Sequence, residues 1–252
     1  MITVFAPGKA LFLTLFAVMA TKMAGSPLIV AFPLFLFFLG FNGLLSCASC
    51  ELDRLYRPRK ALPSGKARVL DSFRLSLLFL LFSIVSAMYV DSLVPMVAII
   101  LFSVGAAAIK LNYSFLSHLA EAFVIFFAML VPSFTTGRFL YASPLAWVVA
   151  LTFLLLHLSH SLQRPYGFEN LNLPKIIGVD HTKKAFALVA SLTGLWGLVP
   201  TIFMSLGYTT LYPISMAFLG IAIYLTLTDR HKEVERMLQA SLVAYLLAIF
   251  LF

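Results

Sequence analysis

The chain is 252 residues long, 62% hydrophobic and 11% charged, with a net charge of +8. That composition excludes a soluble globular core and describes a polytopic membrane protein whose solvent is the bilayer. Two cysteines exclude a disulfide framework, and basic residues that sit within a few positions of apolar runs, with no soluble domain to display them, exclude a nucleic-acid partner.

A hydrocarbon core about 30 Å thick needs roughly 20 apolar residues per helix. Nine runs of that kind follow in chain order, at 8–24, 28–48, 69–90, 92–110, 115–136, 142–163, 183–206, 209–228 and 233–252. They are read as helices, because an open sheet leaves backbone groups unpaired in lipid and the alternating pattern of a barrel is absent. The first run is retained in the mature protein rather than read as a signal peptide, since eight more follow it and no clear cleavage site precedes them.

Nine spans put the termini on opposite sides. Of the 18 Lys and Arg residues, all but Lys22 and Arg138 then fall on the side of the N-terminus, which predicts that this terminus is cytoplasmic. The two longest polar stretches, 49–68 and 164–182, become cytoplasmic loops after the second and sixth spans. Residues 1–252 form a single transmembrane domain, weakly divisible into two related halves of about four helices with one extra.

The chemistry lies in and beside those loops. The first reads Glu51, Asp53 and Arg54, then Arg57-Pro58, Lys60 and Leu62-Pro63-Ser64-Gly65. After the fourth span comes Asn112-Tyr113-Ser114, and the second loop carries Asn172-Leu173-Pro174 and Gly178 before Lys183-Lys184. Taken together, these elements and the nine-span plan resemble the UbiA-type intramembrane prenyltransferases over the whole chain.

The resemblance implies an all-α, UbiA-like helical bundle with a polar mouth facing the cytoplasm above a lipid-open apolar cavity. It also implies transfer of a prenyl group from a prenyl diphosphate to an aromatic or lipid-headgroup acceptor. In the family, carboxylates spaced by three and then four residues share one helix face and converge on Mg2+ bound to the diphosphate. Gapless alignment from Arg57-Pro58 puts those three positions at Ser46, Ser49 and Asp53, so one acid remains. Asn42, a turn before Ser46 on the same face, stands in for the family's asparagine.

No register of the second loop yields an acid. Counting back from Leu173-Pro174 gives Leu158, Ser161 and Pro165, and a shift of one gives His157, His160 and Arg164. The lysine that follows the family's tyrosine is replaced by Ser117 or His118. By resemblance, Asp53 is the catalytic, metal-side acid, and Arg54, Arg57, Lys60 and Arg164 grip the diphosphate. Asn42, Ser46, Ser49, Tyr113, His157, His160 and Ser161 complete the substrate site.

A softer ion such as Zn2+ is the alternative. Cys47 and Cys50 end the second span and His157 and His160 end the sixth, and the family fold faces those helix ends at each other. The bland reading of Ser46 to Cys50 is small-residue helix packing. Serines hold a divalent ion poorly, so a second function stands beside the enzyme: a catalytically impaired relative that binds isoprenoid lipid or a partner without chemistry. A transporter is disfavoured by the scarcity of intramembrane charge.

Glu121 is the one carboxylate at membrane depth, with either a packing or a cavity role. Most of the 25 Phe face lipid, the remainder suiting an isoprenoid cavity. Gly65 ends a turn, Asp91 and Asp180 precede helices, and Asp229 caps the last one.

Overall fold

The computed structural model describes residues 2–56, 61–110, 114–163, 172–202 and 206–250, and among these every regular element is a helix. Each of the nine apolar ranges overlaps a helix of 18 residues or more. Among the described residues, six are long and apolar enough to cross a membrane: Leu28–Ala48, Val69–Met88, Leu116–Thr136, Phe139–Gln163, Val179–Ile202 and Tyr208–Leu227. Two of the other three carry more charge: the first holds Lys9 and Lys22, and the last opens on charged residues from Lys232 to Arg236. The fourth is described as an apolar helix from Leu93 to Ile109. The chain divides into two compact units, Met1–Ala142 and Ser143–Phe252.

The first unit opens with a 3-10 turn, Ile2–Phe5, and α1, Pro7–Ala24. Pro7 suits the first helical turn, where its missing N–H bonds nothing in any case. Gly25 ends α1 at φ 67°, a left-handed conformation, while its N–H and that of Ser26 return to the carbonyls of Lys22 and Thr21. A 3-10 turn, Leu28–Val30, then leads into α2, Ala31–Ala48, and the short α3, Cys50–Tyr56. The unit continues with α4, Val69–Met88, α5, Leu93–Lys110, and α6, Ser114–Thr136.

Within this unit α2 is the core. Its span is 72% buried against 22% for α4, and Phe37, Phe38 and Phe41 are fully enclosed. The helix α4 inverts the soluble pattern: Ser72, Ser76, Ser83 and Ala87 face inward, while Leu70, Phe73, Leu77 and Leu81 are exposed. Large apolar side chains gain nothing by leaving lipid, whereas small ones let helix backbones approach. Gly43 of α2 completes that approach, since a Cβ there would stand 2.2 Å from Ser76 Oγ and 2.8 Å from the Phe5 ring. Ser83 Oγ adds a hydrogen bond to the Pro33 carbonyl at 2.8 Å.

The second unit takes in most of α7, Phe139–Gln163, then α8, Leu173–Ile177, and α9, Val179–Leu198, which runs into a 3-10 turn, Val199–Ile202. It ends with α10, Leu206–Leu227, and α11, His231–Phe250. Gly178, at φ 86°, stops α8 and starts α9 four residues ahead of the expected boundary at 183, so Asp180 lies inside the first turn of α9. Packing is aromatic and small. Tyr208 and Tyr212 stack at 5.4 Å and donate to the carbonyls of Gly197 and Gly194, while Trp147 stacks on Trp196 at 5.6 Å.

Candidate functional site

The end of α2 carries the first constellation. The helical hydrogen bonding continues through the α2–α3 junction, with Ser49 N–H on Leu45 O at 3.0 Å and Asp53 N–H on Ser49 O at 2.8 Å. Positions 46, 49 and 53 therefore keep the spacing of one helix face. Ser49 Oγ donates to Asp53 Oδ2 at 3.1 Å, and Asp53 is buried. Ser46 Oγ turns instead to the Val4 carbonyl at 3.0 Å, stapling the N-terminal turn to α2. Asn42 is 4% exposed, and its Nδ2 has no hydrogen-bond partner among the described residues.

Neighbouring residues point elsewhere. Arg54 is exposed and pairs with Glu51 at 3.0 Å, a local contact across one turn. Cys47 and buried Cys50 are free thiols, and Cys47 Sγ lies 3.7 Å from the Val69 carbonyl. The loop after them forms the expected turn, with Gly65 at φ 74° and its N–H on Leu62 O at 3.1 Å. Arg57, Lys60, Tyr113 and Arg164 lie outside the described residues.

The same unit holds an ion pair that single-residue reading missed. Lys9 Nζ of α1 lies 2.7 Å from Glu121 Oε1 of α6, with side-chain exposures of 32% and 2%. His118, one turn before Glu121, brings a ring nitrogen within 4.8 Å of a Glu121 oxygen. The available signal was positional: Lys9 and Glu121 each fall early in a span entered from the same predicted side. At the opposite end of the unit, Ser26 and Thr135 share a hydrogen bond of 2.7 Å.

In the second unit His157 is half-buried on α7 and Ser161 is buried. His160 Nε2 meets Glu235 Oε2 of α11 at 3.2 Å, and Gln163 Nε2 donates to the His231 carbonyl at 3.0 Å. Asp229 does not serve as the expected helix cap. Its Oδ1 takes Lys183 Nζ at 2.8 Å and His231 Nε2 at 3.3 Å. The hydrogen bond from Lys183 holds the Asp229 carboxyl below the ordinary carboxylate range, and the His231 contact adds to it.

Long apolar helices, one of them turning small residues inward and bulky ones outward, define an integral, all-α membrane protein. No protein-family model and no curated protein matches the sequence. Among solved structures, the chain is similar to digeranylgeranylglyceryl phosphate synthase, with a TM-score of 0.75 at 15% identity over 99% of this chain and 97% of that one. It is equally similar to the apo form of a UbiA homolog from Aeropyrum pernix K1, with a TM-score of 0.75 at 13% identity over 96% and 95%. The chain has the UbiA-type fold.

Proposed function

We propose that this protein is a UbiA-type membrane prenyltransferase, moving a prenyl group from a prenyl diphosphate to an aromatic or lipid-headgroup acceptor. The observation that carries the reading is the likeness to digeranylgeranylglyceryl phosphate synthase along 99% of the chain. It acts as one domain of nine membrane helices, its N-terminus cytoplasmic and its polar mouth on the cytoplasmic side, with no nucleic-acid partner.

Asp53 would hold a hard divalent ion such as Mg2+ through its carboxylate, and that ion would supply charge stabilisation to the leaving group. Ser49 orients that carboxylate through its 3.1 Å hydrogen bond. Asn42 offers the diphosphate an amide donor that no described residue uses. Arg57 and Lys60 grip the same anion, Arg as a planar fork and Lys as a point charge. Arg54 contributes less directly, its side chain being engaged by Glu51.

A second reading, binding of isoprenoid lipid or a partner without turnover, is favoured by one observation. Ser46 and Ser49, which stand at two of the family's three acidic positions, spend their hydroxyls on Val4 and Asp53. The discriminating experiment supplies the purified protein in lipid nanodiscs with radiolabelled prenyl diphosphate, a panel of acceptors and Mg2+, Mn2+ or Zn2+. Transfer that falls at least 100-fold in Asp53→Asn supports the enzyme, on the scale of a lost charge-stabilising contact of roughly 3 kcal/mol. Tight diphosphate binding with no transfer under any metal establishes the second reading.

A further inference from the structure

The second unit holds a cavity of about 10 Å³ between α7, α9, α10 and α11. Its polar wall consists of Thr152, Thr193, Tyr212, Ser215, Ser241 and Tyr245, each of them more than nine-tenths buried. Such a wall is unusual at the depth of membrane-spanning helices, where no bulk water satisfies a stray hydroxyl.

Hydrogen-bond accounting shows what the cavity needs. Thr152 Oγ1 donates to Val148 O at 2.7 Å and Thr193 Oγ1 to Val189 O at 2.8 Å. Tyr212 donates to the Gly194 carbonyl. Ser215 and Ser241 bond one another, with hydroxyl to carbonyl distances of 2.9 Å in both directions and 3.0 Å between hydroxyls. Their donors are therefore committed, while each of these hydroxyls keeps acceptor capacity. Tyr245, 1% exposed, is the exception: its hydroxyl interacts with that of Tyr208, yet no group meets it at hydrogen-bond distance and angle among the described residues.

The wall thus offers acceptors and one uncommitted hydroxyl. A complementary occupant donates two hydrogen bonds, accepts one and carries no charge, since neither an acid nor a base lines the cavity. Water meets all three conditions, and the volume matches the roughly 10–15 Å³ that one water requires. A cavity this size with an apolar lining would stay dry, whereas a polar one fills.

We propose that the second unit binds one internal water here, accepting from the Tyr245 hydroxyl and donating to the threonine and serine oxygens around it. The water ties α11 to its neighbours by hydrogen bonds that the side chains alone do not make. The site is independent of the α2–α3 constellation and of any prenyl transfer.

The test compares full-length wild type with Tyr245→Phe in nanodiscs, because the two possible states of the cavity predict opposite signs. If the water is present, removing the hydroxyl breaks its anchor and Tm falls. If the cavity is dry, removing a buried, unsatisfied hydroxyl leaves Tm unchanged or raises it, and the proposal fails. A second readout does not depend on the variant folding: magnetisation transfer from water to tyrosine ring protons in otherwise deuterated wild type. A long-lived water contact at Tyr245 is expected, and its absence overturns the assignment.

Discussion

Lysine 9 and glutamate 121 are not equivalent partners, and substitution should reveal the difference. Glu121 is 2% exposed in its side chain, whereas Lys9 is 32% exposed and begins α1. Replacing Lys9 by Met removes the ammonium that neutralises an enclosed carboxylate. Breaking a fully buried pair costs about 3–5 kcal/mol, and the partial exposure of Lys9 lowers this to about 2–3 kcal/mol. Replacing Glu121 by Gln leaves an ammonium on a flexible stem that reaches the interface, at about 1 kcal/mol. The double variant should cost about 2 kcal/mol, well under the sum, because the partners share one interaction. Equilibrium unfolding in bicelles with increasing SDS, followed by far-UV circular dichroism, measures all four proteins. A Glu121→Gln penalty equal to or above that of Lys9→Met, or strict additivity in the double variant, would refute the asymmetry.

Two further tests address the helix contacts and the acid response. Gly43→Ala forces a Cβ to 2.2 Å from Ser76 Oγ, so thermal stability should fall by about 1–3 kcal/mol, with part recovered on adding Ser76→Ala. Gly105→Ala, which meets nothing within 4 Å, should be neutral or slightly stabilising in the same melt. Asp229 has a lowered pKa, so its contribution is complete above the ordinary carboxylate value and disappears as pH falls through the lower folded value, from roughly pH 4 downward. Asp229→Asn keeps a residue tolerant of the φ of 63° while removing the charge, and its Tm should vary less with pH over that acid range than the wild type's.

The helices were legible because lipid imposes one rule on every span: satisfy the backbone within the segment and keep the surface apolar. Hydropathy saw their ends less well. The helix α9 starts at Val179 rather than 183 because Gly178 resets the backbone, and a charged first turn containing Asp180 and Lys183 is no obstacle at an interface. The pairs were harder still. Lys9 reads as a topology marker and Glu121 as an isolated acid, since 112 positions separate them and neither carries a local pattern. His160 and Glu235 are hidden in the same way, 75 positions apart. The turn at Gly65 was accessible because its determinant, a residue free to take positive φ after Pro63-Ser64, is local.

The face running from Asn42 to Asp53 carries serines at positions 46 and 49, whose hydroxyls bond where a carboxylate could not. A carboxylate only accepts hydrogen bonds when ionised, whereas a serine both donates and accepts. At position 46 the donor is used on the Val4 carbonyl at 3.0 Å, a place where an ionised carboxylate would meet another acceptor. Docking of the N-terminal turn therefore depends on position 46 not being an acid. At position 49 the donor is used on Asp53, which reinforces the carboxylate that remains. One serine fastens the N-terminal turn to α2, and the other positions the Asp53 carboxylate. An acid at position 46 would therefore conflict with the packing of the N-terminal turn on α2.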